Sequence, residues 1–265
     1  MTSPIERSVS LRNGDFEIQY LEAGRGPHLV YLHGAEGPIG EWHPFLDDLA
    51  RDHHVIAPHL PGFGRSTGAE HLREMLDLTV ATLDLLDALA LQRPHLVGLD
   101  LGGMLAAEVA AVASTRIGKL CLVSPLGLWL DETPTLDFFA VRGDDLAAAT
   151  WADPASSAAR VLLAPPTDEI GQEQARLQAH QNLATAGRFL WPLPDRGLSK
   201  RLHRLTMPTL LVWGVRDGVV PLAYAEAFRS RIPGAKTALI ENAGHLPMLE
   251  QRGEFCRVVR NFLRD

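Results

Sequence analysis

The stretch HLVGLDLGGMLAAEVA, residues 95–110, decides the fold of this chain. Its apolar start predicts a buried strand, its glycines predict a sharp turn, and its alanine-rich end predicts a helix. Gly98, Asp100 and Gly102 have the spacing of the G-x-S-x-G turn, in which a nucleophilic serine stands between a strand and a helix. An aspartate takes the serine position here, so the chemistry of this turn has to be explained with a carboxylate.

Other short apolar runs lie on both sides of this stretch and predict further strands. They are HLVYLHG (28–34), HHVIAPHL (53–60), KLCLVSPLG (119–127), TLLVWG (209–214) and KTALIENAG (236–244). Continuous apolar runs are typical of strands buried on both faces of a parallel sheet. Residues 7–24 predict a hairpin with Asn13-Gly14 at its turn. Because helical patterns separate the other runs, we predict an α/β fold with a mostly parallel central sheet flanked by helices.

The helical pattern over residues 75–91 predicts an amphipathic helix. Four leucines near helical spacing predict its apolar face: Leu76, Leu83, Leu86 and Leu89.

From about residue 130 to about residue 205 the chain has helical patterns and loops but no strand-like run. We therefore expect residues 130–205 to form a helical insertion between two core segments, residues 1–129 and residues 206–265. An insertion between strands of a sheet can cover a site at the strand ends, exclude water and shape a substrate pocket.

The composition limits the classes of function. Asp and Glu number 32 against 25 Lys and Arg, and the net charge of −7 disfavours nucleic acid as a partner. The chain lacks an apolar run of about 18 residues and a recognisable signal peptide, so we expect no membrane partner. Cys121 and Cys256 lie in apolar patterns that predict buried free thiols in a reducing compartment. We expect a cytoplasmic monomer or homodimer whose partner is a small-molecule substrate.

We expect no cofactor and no metal. His53, His54 and His59 stand close together in the sequence, but no carboxylate or cysteine accompanies them at ligand spacing.

Four further motifs follow predicted strands. They are His33-Gly34, HLPGFGRS (59–66), VWGVRDGVVP (212–221) and ENAGHLPMLEQ (241–251). In this order, together with the aspartate turn, they resemble the α/β-hydrolase family over nearly the whole chain. The resemblance identifies the insertion as a cap domain and places nucleophile, acid and histidine at Asp100, Asp217 and His245. It also places the oxyanion hole at the backbone N–H groups of Ala35 and Leu101.

A carboxylate at the nucleophile position favours a particular reaction. At a helix N-terminus we expect Asp100 to be ionised without help from a base. Attack on a carboxylic ester would give an anhydride, whereas attack on an sp³ carbon with a leaving group gives an ordinary ester. We therefore predict a hydrolase of a small, largely apolar substrate, first an epoxide and next an alkyl halide. His245 would activate water against the Asp100 ester, and Asp217 would orient the imidazole.

The resemblance is thus to the aspartate-using branches, the epoxide hydrolases and haloalkane dehalogenases, with two departures. Dehalogenases usually have tryptophan directly after the nucleophile, where this chain has Leu101. Epoxide hydrolases usually have tyrosines in the cap and a proline in the H-G-x-P turn, and this chain has neither. Candidates for lining the pocket or stabilising the leaving group are His33, Glu36, Trp129, Trp151, His180 and Trp191.

Several alternatives stay open at this stage. Outside the aspartate turn the chain looks more like serine esterases and carbon–carbon bond hydrolases, so ester, lactone or carbon–carbon cleavage is the second hypothesis. A ligand-binding protein without turnover is the third. Structural roles are also possible, with Asp100 as a helix N-cap, Asp217 as a turn residue and His245 as a loop histidine. The tryptophans could simply pack the cap, and His180 could face solvent.

Overall fold

The computed structural model describes residues 3–38, 42–193 and 195–264. Within them one sheet is formed by β1 Ile5–Leu11, β2 Phe16–Ala23, β3 His28–Leu32, β4 His54–Pro58, β5 His95–Leu99, β6 Leu120–Val123, β7 Thr209–Gly214 and β8 Lys236–Ile240. The strand order is β1-β2-β4-β3-β5-β6-β7-β8. The pairs β1/β2 and β2/β4 are antiparallel and all other pairs are parallel. The predicted α/β fold with a mostly parallel sheet is confirmed.

Helices cover both faces of this sheet. They are α1 Pro44–Leu49, α2 Met75–Ala88, α3 Asp100–Val112, α4 Gly143–Thr150, α5 Ser157–Leu163, α6 Glu169–Leu190, α7 Ala223–Arg229, α8 Pro247–Glu250 and α9 Arg252–Arg264. The apolar residues of α2, α3 and α7 pack in one core cluster, and those of α1 and α9 pack in another. In the described part of the chain, no helix is both long and apolar enough to cross a membrane.

The predicted hairpin is confirmed, one local expectation is wrong, and another is confirmed only in part. Leu11 pairs with Phe16, and Arg12, Asn13 and Gly14 have positive φ in the loop between β1 and β2. Strand β8 is not buried on both faces, because it is the edge of the sheet, and Leu239 is 47% exposed. In α2 the predicted apolar face is confirmed in part: Leu86 is buried and Leu83 and Leu89 pack against the core, but Leu76 is 56% exposed.

Helices α4, α5 and α6 lie in the chain between β6 and β7, inside the insertion predicted from the sequence. Four side chains of helix α6 donate hydrogen bonds to backbone carbonyls of the core, those of Gln181 and Arg188 to Gly62 at 3.3 Å and to Ala69 at 2.9 Å. The Asn182 Nδ2 donates to the Glu36 carbonyl at 2.5 Å, and the Thr185 hydroxyl donates to the Gly62 carbonyl at 3.1 Å. These bonds hold the cap over the loops that follow β3 and β4, and the division of the chain at residues 130 and 205 stays a prediction.

Candidate active site

The turn between β5 and α3 holds Asp100 in a strained conformation. Asp100 has φ +53°, a left-handed value that non-glycine residues adopt rarely and at a cost. A Cβ atom on Gly98 would collide with the Gly102 carbonyl, and one on Gly102 would collide with the Leu32 carbonyl. The G-x-D-x-G spacing is therefore a packing requirement, since only glycine lets β5, α3 and β3 approach so closely.

The Asp100 side chain does not cap α3. Its Oδ2 accepts a hydrogen bond from the Ala35 N–H at 2.8 Å, in the turn after β3. Its Oδ1 is buried, accepts no hydrogen bond within the described residues, and lies 3.9 Å from His245 Nε2. One oxygen of the carboxylate thus occupies the predicted oxyanion hole, and the other faces the histidine.

The expectation that Asp100 is ionised without help needs correction. Burial raises the pKa of the Asp100 carboxyl, and the positive charge of His245 opposes that rise. The backbone N–H groups of Ala35 and Leu101 also lower this pKa. The helix terminus is therefore only one contributor, and the charge of His245 is the largest of the effects that favour the carboxylate.

Asp217 and His245 are brought together at the ends of β7 and β8. His245 Nδ1 lies 3.0 Å and 3.2 Å from the two Asp217 carboxylate oxygens. Asp217 Oδ1 also accepts the N–H groups of Val219 and Val220, both at 2.9 Å. Asp217 therefore has both of the roles considered from the sequence, since it closes its own turn and also contacts the imidazole of His245.

The carboxylates around His245 favour its protonated form. Burial alone would lower its pKa, but the neighbouring carboxylates, Asp217 above all and then Asp100 and Glu36, raise it to about 9. A protonated imidazole between two carboxylates balances part of their charge. The imidazole can act as a base only after it has released this proton, and it releases the proton more readily when one of the two carboxylates loses its charge.

The loops that carry Asp217 and His245 are tied to the end of α4. His245 N–H donates to the Thr150 carbonyl at 2.7 Å, and Gly218 N–H donates to the Ala149 carbonyl at 3.0 Å. Glu250 accepts the N–H groups of Gly244 and Ala152 with its two oxygens, each at 2.7 Å. The start of the cap thus fixes the position of the acid and histidine loops.

A cavity of about 440 Å³ lies between this site and the cap. Its lining is Ala35, Glu36, Asp100, Phe138, Arg142, Leu146, Thr150, Arg176, Ala179, His180, Asn182, Leu183, Val219 and His245. Five residues selected from the sequence therefore meet here: Ala35, Glu36, Asp100, His180 and His245. Their roles in a reaction stay predictions.

His33 does not line this cavity. It is buried, its Nδ1 lies 2.8 Å from the Gly34 carbonyl, and its Nε2 accepts the Leu60 N–H at 3.0 Å. Burial lowers its pKa to about 3, so the ring is neutral and both nitrogens are occupied. His33 instead fastens the oxyanion turn after β3 to the loop after β4.

The three candidate tryptophans also lie outside the lining of this cavity. The Trp129 indole donates to Asp131 at 3.0 Å, and Trp191 is 55% exposed and packs edge-on against Phe139. Trp151 is buried and lines a second cavity of about 360 Å³ beside the first. Trp151 packs in a core cluster and Trp191 is largely exposed, so the alternative in which the tryptophans pack the cap holds only in part. None of the three presents an indole N–H to Asp100. His180, for which the alternative was a position facing solvent, is exposed and also lines the first cavity.

Sequence reasoning missed most of the cap side of the cavity. Arg176, Ala179, His180 and Leu183 form one face of α6, at spacings of three and four residues. Starting from His180, that periodicity could have identified the other three. Arg142 stands before α4 in a loop, where no periodic signal marks it.

Comparison with known proteins places this architecture in a family. The chain matches the family described as alpha/beta hydrolase fold over residues 27–251, and it belongs to that family. It is 31% identical to the 2-hydroxy-6-oxo-6-phenylhexa-2,4-dienoate hydrolase of Comamonas testosteroni, over 95% of this chain and 92% of that protein. It is 30% identical to the pimeloyl-(acyl-carrier protein) methyl ester esterase of Aeromonas salmonicida, over 91% of this chain and 96% of that protein.

Among solved structures, the fold is similar to that of a bacterial membrane phospholipase A. The TM-score is 0.81 and the identity 25%, over 98% of this chain and 86% of that one. The chain is thus an α/β-fold hydrolase. The relatives named above are hydrolases of a dienoate and a methyl ester, so they do not support the epoxide hydrolase subtype predicted from the sequence.

Proposed function

We propose that this hydrolase forms an alkyl ester between Asp100 and a small epoxide, and then hydrolyses that ester with water activated by His245. The observation that carries the proposal is the position of Asp100 Oδ2, which accepts the Ala35 N–H at 2.8 Å. The oxyanion hole is thereby occupied by the protein's own carboxylate.

Because Asp100 occupies the oxyanion hole, hydrolysis of a substrate ester is disfavoured relative to hydrolysis of an ester formed on Asp100. Ester hydrolysis needs the N–H donors for the carbonyl oxygen of the substrate, which becomes negative in the transition state. Here that oxygen would compete with a carboxylate that already carries negative charge. An Asp100 ester, by contrast, has its carbonyl oxygen in the hole before water attacks it. The geometry therefore supports an oxyanion formed on Asp100 itself.

The first step would transfer the substrate carbon to Asp100. Oδ1 attacks a ring carbon, the carbon–oxygen bond of the epoxide breaks, and its electron pair goes to the ring oxygen. That oxygen leaves on the side opposite the nucleophile, toward the cap. His180 on α6 lines that side of the cavity and can supply the proton, whereas the candidate tryptophans do not reach it. A group that donates a proton favours an epoxide over an alkyl halide as the substrate.

The second step would release the diol. His245 takes a proton from water, the resulting hydroxide attacks the carbonyl carbon of the Asp100 ester, and the bond to the substrate oxygen breaks. The alkoxide recovers the proton from His245, and the water oxygen stays in the Asp100 carboxylate. Alkylation removes the negative charge of Asp100 and so lowers the pKa of His245, which releases its proton to solvent before it takes one from water.

The relatives favour a second candidate, hydrolysis of an ester or a carbon–carbon bond. In that reaction His245 would activate water directly against the substrate, and Asp100 would act only as a charged neighbour or proton shuttle. The identities of 31% and 30% to a dienoate hydrolase and a methyl ester esterase support it.

A single turnover in water labelled with the heavy oxygen isotope distinguishes the two candidates. Enzyme in excess is mixed with a styrene-type epoxide, and both the Asp100 peptide and the product are weighed by mass spectrometry. Our proposal expects the label in the Asp100 peptide and an unlabelled first product. Label in the product, with none in the Asp100 peptide, would mean that water attacks the substrate directly.

Two variants serve as controls for this experiment. His245→Gln should stop at the ester, which appears as substrate mass on the Asp100 peptide. Asp100→Asn keeps the shape of the side chain without the nucleophilic charge and should carry no such mass.

A further inference from the structure

Glu36 is held beside the oxyanion hole by its backbone. It follows Ala35, and the Gly37 N–H closes the turn on the Gly34 carbonyl at 3.1 Å. From the cap, Asn182 Nδ2 donates to the Glu36 carbonyl at 2.5 Å. The turn is therefore fixed from both sides, so the direction of the Glu36 side chain is set by the core and by α6 together.

The Glu36 side chain is directed into the site. It lines the 440 Å³ cavity together with Asp100 and His245, and it also lines the adjoining 360 Å³ cavity. Both cavities open to solvent, so Glu36 keeps an exposed surface. Partial removal from water raises the pKa of its carboxyl, the charge of His245 lowers it, and the charge of Asp100 raises it again. A carboxylate close to both reacting groups, with no hydrogen bond to its oxygens among the described residues, has its acceptor capacity available.

We propose that Glu36 accepts the second hydrogen of the hydrolytic water, while His245 takes the first. This inference rests on the proposed function, because it concerns the step in which the Asp100 ester is hydrolysed. Water that attacks the ester carbon has to direct a lone pair toward it, so both of its hydrogens need acceptors elsewhere. One acceptor is His245 Nε2, and Glu36 is the carboxylate that lies near both His245 and Asp100.

Other polar groups around the cavity are poorly suited to this task. Asn182 uses its nitrogen for the Glu36 carbonyl and its oxygen to accept from Gln178 at 2.8 Å. Arg142 and Arg176 can only donate hydrogen bonds. His180 lies on α6, on the cap side where the epoxide oxygen leaves.

The protons balance over the hydrolytic step. One proton moves from water to His245 and then to the departing alkoxide, which becomes the product hydroxyl. The second stays on the water oxygen as it joins Asp100, and it passes from the restored carboxyl to Glu36 and on to solvent. Asp100 and Glu36 both end as carboxylates, so the site is ready for the next substrate.

This role requires Glu36 to be ionised. The titratable and basic groups that line the cavity with it are Asp100 and His245 from the core and Arg142, Arg176 and His180 from the cap. A protonated Glu36 would donate to the water and turn its lone pair away from the ester. The rate of ester hydrolysis should therefore rise with pH through a pKa above the ordinary range of a glutamate.

The test separates formation of the ester from its hydrolysis. Glu36→Gln is mixed with styrene oxide, quenched at short times, and the mass on the Asp100 peptide is followed. We expect ester formation within about threefold of wild type and hydrolysis slowed about 10²–10³-fold, the usual range for a positioned proton acceptor. Glu36→Asp, which keeps the charge, should recover part of the hydrolysis rate. Glu132→Gln, the same change at an exposed loop position, should leave both steps unchanged.

Each contrary outcome has a distinct meaning. Unchanged hydrolysis in Glu36→Gln would overturn the role of Glu36, as would equal slowing of both steps with a lower Tm. If Glu36→Gln does not fold, the rate of ester hydrolysis is measured as a function of pH in wild type and in Glu36→Asp. Identical pH profiles in the two proteins would refute the inference. Failure of His245→Gln to accumulate any ester would refute the proposed function instead, whatever Glu36 does.

Discussion

Asp100→Asn should lower the pKa of His245 and so reproduce the electrostatic state of the alkylated enzyme. The side chain keeps its shape, but the negative charge 3.9 Å from His245 Nε2 is removed. At about 4 Å and an effective dielectric constant of about 20, that charge contributes up to about 4 kcal/mol, or about 3 pKa units. Because Asp217 remains 3.0 Å away, we expect a fall of about 1–3 units from the wild-type value of about 9.

The change can be measured in two ways. The ring protons of His245, assigned by their loss in His245→Gln, titrate in an NMR pH series. The free energy of unfolding gives the second readout, since a folded pKa of about 9 against an ordinary 6.5 stabilises the protein below pH 6.5. Wild type should lose up to about 3 kcal/mol of this stabilisation as pH rises from about 6.5 to about 9. Asp100→Asn should lose less of its free energy of unfolding, and it should lose it over a narrower range of pH.

A His245 pKa that stays near its wild-type value in Asp100→Asn would refute the reasoning. In that case Asp100 would not hold the proton on the imidazole, and alkylation could not turn His245 into a base.

Two further predictions concern the oxyanion hole and the loop that carries His245. Asp100→Ser should hydrolyse aryl esters faster than wild type does, because the Ala35 N–H becomes free for a substrate carbonyl. Asp100→Ala is the control, and equal activity in both variants would contradict the argument. Glu250→Ala leaves the N–H groups of Gly244 and Ala152 unpaired, at about 1–3 kcal/mol for each that stays buried. We expect this variant to have a lower kcat and a lower Tm, by about 2–4 °C for each kcal/mol lost. A Tm and a kcat equal to those of wild type would contradict the prediction.

The position of the candidate site follows from the sequence because its motifs end parallel strands. Asp100, Asp217 and His245 come after β5, β7 and β8, and the carboxyl ends of parallel strands meet at one edge of a sheet. Strand patterns and glycine spacing are local signals, so the convergence of these three side chains could be predicted without coordinates.

The residues of the cap could not be predicted in the same way. Which face of α6 lies toward Asp100 depends on how the helix docks, and that docking involves hydrogen bonds from Gln181, Asn182, Thr185 and Arg188 to backbone carbonyls of the core. A single aromatic residue carries no such directional signal, and Trp151 lines the neighbouring cavity instead of the predicted one. Helical spacing predicts the buried side of α2 at Leu86 but not the exposure of Leu76 near the helix start.

An aspartate in the G-x-D-x-G turn has two effects on the site. Its Oδ2 accepts the Ala35 N–H, a donor that an ester substrate would need, and its charge, together with those of Asp217 and Glu36, raises the pKa of His245. Under the proposed function, alkylation of Asp100 would remove one of these charges, so that His245 would release its proton to solvent and then activate water. The carbonyl oxygen of the ester would by then accept the Ala35 N–H. The carboxylate would thus disfavour acyl transfer and help to set the order of the two steps in alkyl transfer.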